Sequence, residues 1–311
     1  MKILLTGANG FVGRRLAKEL SVKYDVTCCS RTVSEKNSEF SISPSLSRDA
    51  DWEFLLQNVD VVVHVAGKAH NIGEPRDIAQ RAFKAINVDG TLRLAEQALA
   101  GNVKRFVFIS SIGVNGSYTT HEAFSEKSTV APHADYAESK LEAEEGLQAL
   151  VQGSSMELVI IRPPLVYSGD APGNFQRLLK IVSKELPLPF AAIKNRRSMI
   201  ALENLTDFIR VCLEHPSAAN NIFLISDGVD LSIGEILGLL AKGMGKKSRL
   251  IAVPPVMLLA GATLLRRRAM YSQLCESLVI DSSKSRSLLG WTPIVSPLEA
   301  LVEAGQNFKW L

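Results

Sequence analysis

Tyr136 and Lys140, in the run Tyr136-Ala137-Glu138-Ser139-Lys140, stand four residues apart and so leave one face of a helix one turn from each other. An ammonium beside a phenol favours the phenolate. The spacing therefore predicts a tyrosine whose pKa is drawn down toward neutrality, a usable acid or base. Upstream, an apolar run ends in Ile109, Ser110 and Ser111, and a hydroxyl at the carboxyl edge of a sheet can bond the same oxygen as the tyrosine. Near the N-terminus, Gly7-Ala8-Asn9-Gly10-Phe11-Val12-Gly13 joins the apolar strand Ile3–Leu5 to a helical pattern. Such glycines permit a tight turn and let a pyrophosphate approach the N–H groups and dipole of the helix N-terminus. The spacing is G-x-x-G-x-x-G rather than G-x-G-x-x-G. A second apolar run ends at Cys29-Ser30-Arg31, with no acid to hold two ribose hydroxyls. Arg31 there fits a ribose 2′-phosphate through charge-assisted bonds, which predicts NADP(H); the other reading is a solvated arginine.

These groups need a scaffold that brings strand ends together. Apolar runs recur at Ile3–Leu5, Val26–Cys29, Val59–Val65, Arg105–Ser110 and Glu157–Arg162, separated by amphipathic stretches at Val12–Leu20, Ala82–Ala100 and Tyr136–Val151. Strands buried on both faces and alternating with helices predict an α/β fold, a doubly wound parallel sheet. After Arg162, five prolines from Pro163 to Pro189 break the pattern. This predicts a second, smaller, mostly helical lobe. A helix at Leu205–Leu213 and a strand at Ile222–Ile225 return to the large sheet. The expected division is a cofactor domain of residues 1–166 and 199–228, with a substrate lobe of residues 167–198 and 229–311. Ser34–Ser47 is serine-rich and reads as a surface loop.

Composition narrows the field. The chain has 311 residues, 46% of them hydrophobic, enough for a large core. A net charge of +3 supplies no field of the kind that draws a protein onto nucleic acid. Cys28, Cys29, Cys212 and Cys275 lack metal-ligand spacing, so no metal is expected, and their use fits a reducing cytoplasm. Met1-Lys2 runs straight into a strand, with no pattern of an export signal. The longest apolar stretch, Ile251–Leu265, holds two prolines and falls short of the ~20 residues of a membrane span. With Arg266, Arg267 and Arg268 behind it, the expectation is a core helix with a solvated basic end; a membrane-surface helix is the alternative.

Taken together, the motifs resemble those of the extended short-chain dehydrogenase/reductases (the NAD-dependent epimerase/dehydratase family) that act on nucleotide sugars. The likeness covers nearly the whole chain. Its marks are the Gly7/Gly10/Gly13 turn, His64-Val65-Ala66-Gly67, Asn87 in Ile86-Asn87-Val88-Asp89-Gly90-Thr91, Ser111 in Ser110-Ser111-Ile112-Gly113-Val114-Asn115-Gly116, and Tyr136/Lys140. The resemblance implies that Tyr136 gives or takes the proton, Lys140 tunes it and binds the nicotinamide ribose, and Ser111 sits at the reacting oxygen. It places Val65, Ala66, Gly67, Asn87, Ile109 and Ser110 along the cofactor, with Pro163 and Val166 of Arg162-Pro163-Pro164-Leu165-Val166-Tyr167 bordering the nicotinamide. Gly173-Asn174-Phe175 resembles the turn that meets a sugar diphosphate, and Arg197 the arginine that neutralises it. The expected partner is a UDP-sugar, and a homodimer is a further expectation from the family.

Several positions depart from the family pattern. Asn115 replaces a tyrosine expected near the substrate, Ala137 replaces a glycine, and Ser45-Leu46 stands where an acid often holds adenine. The arginine expected late in the chain has no register match in Arg266–Arg268. Lys68 and His70 follow the Ala66-Gly67 turn and are further candidates to face the sugar. The closest likeness is to bacterial enzymes of surface polysaccharide synthesis. The expected reaction is NADPH-dependent reduction of a 4-keto group on a UDP-linked 6-deoxy-N-acetylhexosamine. A 4-epimerase with tightly bound NAD is the alternative. A non-catalytic NADP-binding regulator is the third reading, disfavoured because Tyr136, Lys140 and Ser111 are all kept. A dehydratase is disfavoured because Ile112-Gly113 replaces an acidic pair.

Overall fold

A computed structural model describes residues 1–32, 39–69 and 73–309. In chain order, the first half comprises β1 (Lys2–Thr6), α1 (Phe11–Leu20), β2 (Asp25–Ser30), β3 (Ser41–Ile42), β4 (Val61–His64), α2 (Arg76–Phe83), α3 (Gly90–Ala100), β5 (Arg105–Ile109), α4 (Asp135–Val151) and β6 (Glu157–Arg162). The second half adds β7 (Leu165–Tyr167), α5 (Gly173–Ser183), β8 (Met199–Ala201), α6 (Leu202–Glu214), β9 (Asn221–Leu224), α7 (Ile233–Gly243), α8 (Pro255–Leu264), α9 (Arg268–Cys275), α10 (Ser283–Leu289) and α11 (Pro297–Gln306). Seven strands form one parallel sheet in the order β3-β2-β1-β4-β5-β6-β9. The chain is thus the doubly wound α/β fold expected from its apolar runs.

Strand burial explains those runs. β4 and β5 are buried along their whole length. Alternate residues feed two cores: Ile3, Leu5, Val61, Val63, Val107 and Val159 pack toward α1 and α6, while Leu4, Val62, Phe106, Phe108, Leu158 and Ile160 pack toward α3 and α4. The strand order reverses between β1 and β4. In open α/β sheets this switch point, at the carboxyl ends, is where a ligand crevice forms.

One predicted helix differs from expectation. The pattern at Ala82–Ala100 reads as one continuous helix, but α2 and α3 are joined through a π-helical turn, Lys84–Asp89. A third core lies outside the large sheet, where β7 and β8 pair in parallel and Tyr167, Phe175, Leu179, Leu237, Leu240 and Leu301 pack together. The expectation for Ile251–Leu265 fails more plainly. α8, which covers most of that stretch, contains no buried residue and is not a core helix. Part of the serine-rich stretch Ser34–Ser47, and His70, lie outside the described residues.

Candidate active site

The glycine turn follows β1. Gly7 has φ +70°, a conformation L side chains rarely adopt, and a Cβ there would come within 2.8 Å of the Ala66 backbone nitrogen. At Gly13 a Cβ would lie 2.0 Å from the Gly7 carbonyl oxygen. Both glycines are needed to seat α1 against the β1 and β4 ends. The N-terminus of α1 has Gly10 as its cap, no capping side chain and no acid in its first turn. Asn9 and Gly10 are exposed, and Phe11 and Val12 are half-buried. An uncapped helix N-terminus with positive dipole and open approach fits a dinucleotide pyrophosphate.

A cleft beside this turn is lined by Asn9, Arg14, Lys18, Cys28, Thr32 and Glu39. Arg31 is exposed just beyond β2. Neither the end of β2 nor Ser45-Leu46 offers an acid, but Glu39 lines this cleft, so both signs of charge are present. Ser45 is exposed, whereas Leu46 packs inward on the core and lies against Gly90, where a Cβ would meet it at 2.7 Å.

The ends of β4 and β5 converge on α4. Lys140, fully enclosed, donates from Nζ to the Ile109 carbonyl oxygen at 2.9 Å and lies 4.5 Å from the Phe108 ring centroid. A Cβ on Gly67 would stand 3.6 Å from the same Nζ. Asn87, in the π-helical turn, clamps this junction: its Oδ1 accepts from Lys68 N at 2.8 Å, and its Nδ2 donates to the Lys68 carbonyl at 2.9 Å and to Ser139 Oγ at 3.0 Å. Lys68 Nζ pairs with Glu74 at 2.5 Å. Val65 and Ala66 are half-buried beside the glycine turn.

Ser111 caps the short 3-10 turn Ile112–Val114 by accepting from Gly113 N at 3.1 Å, which fixes its oxygen while leaving its proton to donate. A Cβ on Gly113 would touch both Ser111 Oγ and the Ala137 methyl at 3.3 Å, so the turn that carries the serine approaches the first turn of α4, in which Tyr136 is half-buried. The Tyr136 ring meets Phe83 edge-on at 6.2 Å. Pro163 is buried and its carbonyl receives Ile112 N at 3.0 Å; Val166 is half-buried.

The electrostatics overturn one expectation. Burial pushes the Tyr136 phenol up to about 12, not down toward neutrality, and it is the Lys140 ammonium that burial brings down to about 8, partly opposed by the Glu144 carboxylate. The cost of taking a charge out of water outweighs the attraction expected from the spacing alone. Tyr136 is therefore a proton donor at neutral pH in this arrangement.

Beneath the site lies a buried polar cluster that sequence reasoning missed. Glu144, one turn beyond Lys140, is 1% exposed and receives Arg162 Nε at 3.0 Å and Nη2 at 2.5 Å, as well as the Ser110 hydroxyl. Arg162 Nη1 donates to Asn115 Oδ1 at 3.0 Å. Two site expectations change accordingly: the Ser110 hydroxyl faces Glu144, and the Asn115 side chain, buried and held by Arg162, is not available to a sugar. A second buried polar chain links Thr6 Oγ1, His64 and Thr91 Oγ1 at 2.7 and 2.9 Å. Burial, aided by the Lys140 charge, lowers the His64 imidazole to about 3 and keeps it neutral.

The remaining candidates meet elsewhere. Asn174 lies in the first turn of α5 and donates to Gln273 Oε1 at 3.3 Å; half-buried Arg197 donates to the Glu276 carbonyl at 3.1 Å. Both reach the C-terminal end of α9. Among the described residues, no group of His, Cys, Asp and Glu could hold a metal ion, and no helix is long and apolar enough to cross a membrane.

With this geometry in place, residues 3–226 match the family model described as the NAD dependent epimerase/dehydratase family. The chain belongs to that family. It is an enzyme of nicotinamide-dinucleotide chemistry, as the glycine turn and the Tyr136/Lys140 pair imply. A protein of Vibrio cholerae named UDP-glucose 4-epimerase is 39% identical over 98% of this chain and 95% of its own length. A protein of Escherichia coli O157:H7 named N-acetyl-alpha-D-glucosaminyl-diphospho-ditrans,octacis-undecaprenol 4-epimerase is 26% identical over 83% of this chain and 77% of its own length. Among solved structures, the UDP-N-acetylglucosamine 4-epimerase of Bacillus cereus superposes with a TM-score of 0.79 at 20% identity, covering 98% of both chains. That likeness shows the fold.

Proposed function

We propose that the chain is a 4-epimerase of a UDP-linked hexose or N-acetylhexosamine, working with a tightly held NAD. The observation that carries this reading is the near full-length similarity to the Vibrio cholerae protein of that name, joined to a site that retains Ser111, Tyr136 and Lys140. A bound nicotinamide would supply the hydride-accepting and hydride-donating chemistry at carbon 4 of the sugar. Tyr136 is the proton-transfer group at the 4-hydroxyl: it is the donor in the second, reducing half, and to accept in the first, oxidising half it must enter as phenolate, a form disfavoured by burial that the positive charge of a bound NAD would favour. Ser111, its oxygen fixed by Gly113 N, donates to the same sugar oxygen. Lys140 orders the β4 and β5 ends through the Ile109 carbonyl. Asn174 and Arg197, drawn together at the end of α9, would hold the diphosphate, with the helix dipole of α5 adding to their charge.

The division into a cofactor domain (1–166 and 199–228) and a substrate lobe (167–198 and 229–311) belongs to the same proposal. One refinement is that Leu289 and Trp291 pack in the large-sheet core beside Phe208. The cytoplasmic setting belongs to it too.

A second reading is favoured by a specific observation. Arg31 stands just beyond β2, with Arg14 and Lys18 in the neighbouring cleft, a set suited to a ribose 2′-phosphate, and Tyr136 is held as a proton donor. These support net NADPH-dependent reduction of a UDP-linked 4-keto sugar; Glu39 in the same cleft supports NAD.

Purified protein should retain NAD and interconvert UDP-N-acetylglucosamine and UDP-N-acetylgalactosamine, or UDP-glucose and UDP-galactose, without added cofactor. No interconversion, with one NADPH consumed per UDP-4-keto sugar, would transfer the assignment to the reductase. In that case Arg31→Ala should weaken NADP(H) binding by about 1.5 to 3 kcal/mol, the scale of a hydrogen bond to a charged group.

A further inference from the structure

The segment that failed to become a core helix has an ordered surface. On α8, Val256, Met257, Ala260, Thr263 and Leu264 are exposed and recur at helical spacing, while Leu258, Leu259, Gly261 and Ala262 are half-buried on the opposite side. Val256 is 71%, Met257 62%, Leu264 85% and the following Leu265 71% exposed. Singly exposed apolar residues are ordinary; a continuous apolar stripe along one helix marks an interaction surface.

The charge around this stripe is of one sign. From residue 236 to 275 the chain carries Lys242, Lys246, Lys247, Arg249, Arg266, Arg267 and Arg268 but no aspartate or glutamate, although the whole chain is only +3. None of Arg266, Arg267 and Arg268 forms an ion pair with a described residue, and all three are exposed.

We infer that α8 and the arginines behind it dock the protein on an anionic lipid surface. A ten-residue helix is only about 15 Å long, half of a bilayer's ~30 Å hydrocarbon core, so it lies along the interface and does not cross it. Its apolar stripe enters the acyl boundary while the arginines stay at the phosphates. A second copy of the chain is a poorer occupant. Residues 236–275 of a second copy would bring the same one-signed charge and no acid to pair with these arginines. Docking through α8 also orients the substrate lobe. The chain passes directly into α9, whose end holds Asn174 and Arg197, so the proposed diphosphate end of the site stands close to the lipid surface.

Co-sedimentation of the full chain with phosphatidylglycerol–phosphatidylcholine vesicles tests this. The protein should pellet with them, far less with phosphatidylcholine alone, and less as salt rises. The triple variant Arg266→Gln, Arg267→Gln, Arg268→Gln should lose affinity about a hundredfold, from ~1 kcal/mol per basic residue at the surface. Met257→Asp with Leu264→Asp should also release it, with turnover on a soluble UDP-sugar unchanged in both variants. Failure of the parent to pellet, or pelleting that neither variant alters, would overturn the inference. So would sedimentation velocity in which the Met257→Asp, Leu264→Asp variant turns a dimer into a monomer, which assigns the stripe to a second copy. Turnover is read separately, so loss of the membrane inference and loss of the proposed reaction are distinguishable.

Discussion

The carboxyl ends of β4, β5 and β6 and the helix α8 treat unfavourable groups in opposite ways. At the strand ends, charged and polar side chains are buried but matched: Glu144 with Arg162 and Ser110, Asn115 with Arg162, His64 with Thr6 and Thr91. Around α8, apolar side chains are exposed and unmatched. The first region spends desolvation energy on rigidity, which a site needs to keep a hydroxyl and a phenol in fixed places. The second leaves surface free, and its composition is set by what it meets outside the chain.

The comparison can be broken most sharply at Tyr136. Tyr136→Phe removes one oxygen from the matched region and should lower turnover by roughly 10²- to 10⁴-fold with nucleotide affinity and unfolding midpoint nearly unchanged; steady-state kinetics and denaturant melts would expose a merely structural tyrosine. Next comes the ion pair. Glu144→Ala leaves the Arg162 guanidinium buried and uncompensated, and should cost about 3 to 5 kcal/mol in urea unfolding. A loss below about 1 kcal/mol would mean that water reaches the cluster and the region is not sealed.

His64 gives a pH test of the same sealing. Its folded pKa of about 3 lies below the ordinary imidazole value near 6.5, so the unfolded chain binds more protons between those limits. Stability from a neutral His64 is complete above that ordinary value and is lost as pH falls through the window. Unfolding free energies measured from neutrality down into the acid range should fall less steeply for His64→Gln than for the parent. The difference should reach a few kcal/mol, each tenfold rise in proton activity across the window being worth ~1.4 kcal/mol. Parallel curves would place water beside the ring. The smallest effect belongs to α8: Leu264→Ser should change stability by no more than about 0.5 kcal/mol, because the side chain is not packed. A larger loss would show that the exposed stripe of α8 is packed within the chain.

Much of the sheet was legible because β1, β4, β5 and β6 are buried on both faces and so read as unbroken apolar runs. The glycine turn was legible for a similar reason: Gly7 and Gly13 are demanded by contacts that any side chain would violate. The buried cluster was not. Glu144 falls among the charged residues of an amphipathic helix and looks solvated, since nothing local says which acid turns inward. One signal was available: Arg162 follows the apolar run Leu158–Ile161 at the end of β6, and a guanidinium at such a buried place requires a carboxylate. Asn115 looked like a candidate substrate contact because its actual role, accepting from Arg162, depends on a residue 47 positions away. The phenol's upward shift was hidden for the same reason, as spacing reports proximity but not solvent. In α8 the pattern of apolar residues was read correctly, but hydrophobicity alone does not say which side of a helix the protein itself covers.

The π-helical turn at Lys84–Asp89 has a further consequence, one of angular phase. Each residue of an α-helix advances the side chains by about 100°, and a π turn absorbs one residue more than an α turn over the same rise. Behind it, α2 faces inward with Ala79 and Phe83; ahead of it, α3 faces inward with Leu94, Ala95 and Ala98. The wide turn lets Phe83 meet Tyr136 while the inward face of α3 joins the core under the sheet, and it sets Asn87 on the loop after β4. Deleting a single residue between Lys84 and Asp89 would restore an unbroken α-helix, but Asn87 and the inward face of α3 could then no longer both stay in register. The turn thus works as a fixed gear between scaffold and site, and helix continuity is what the chain gives up to keep both aligned.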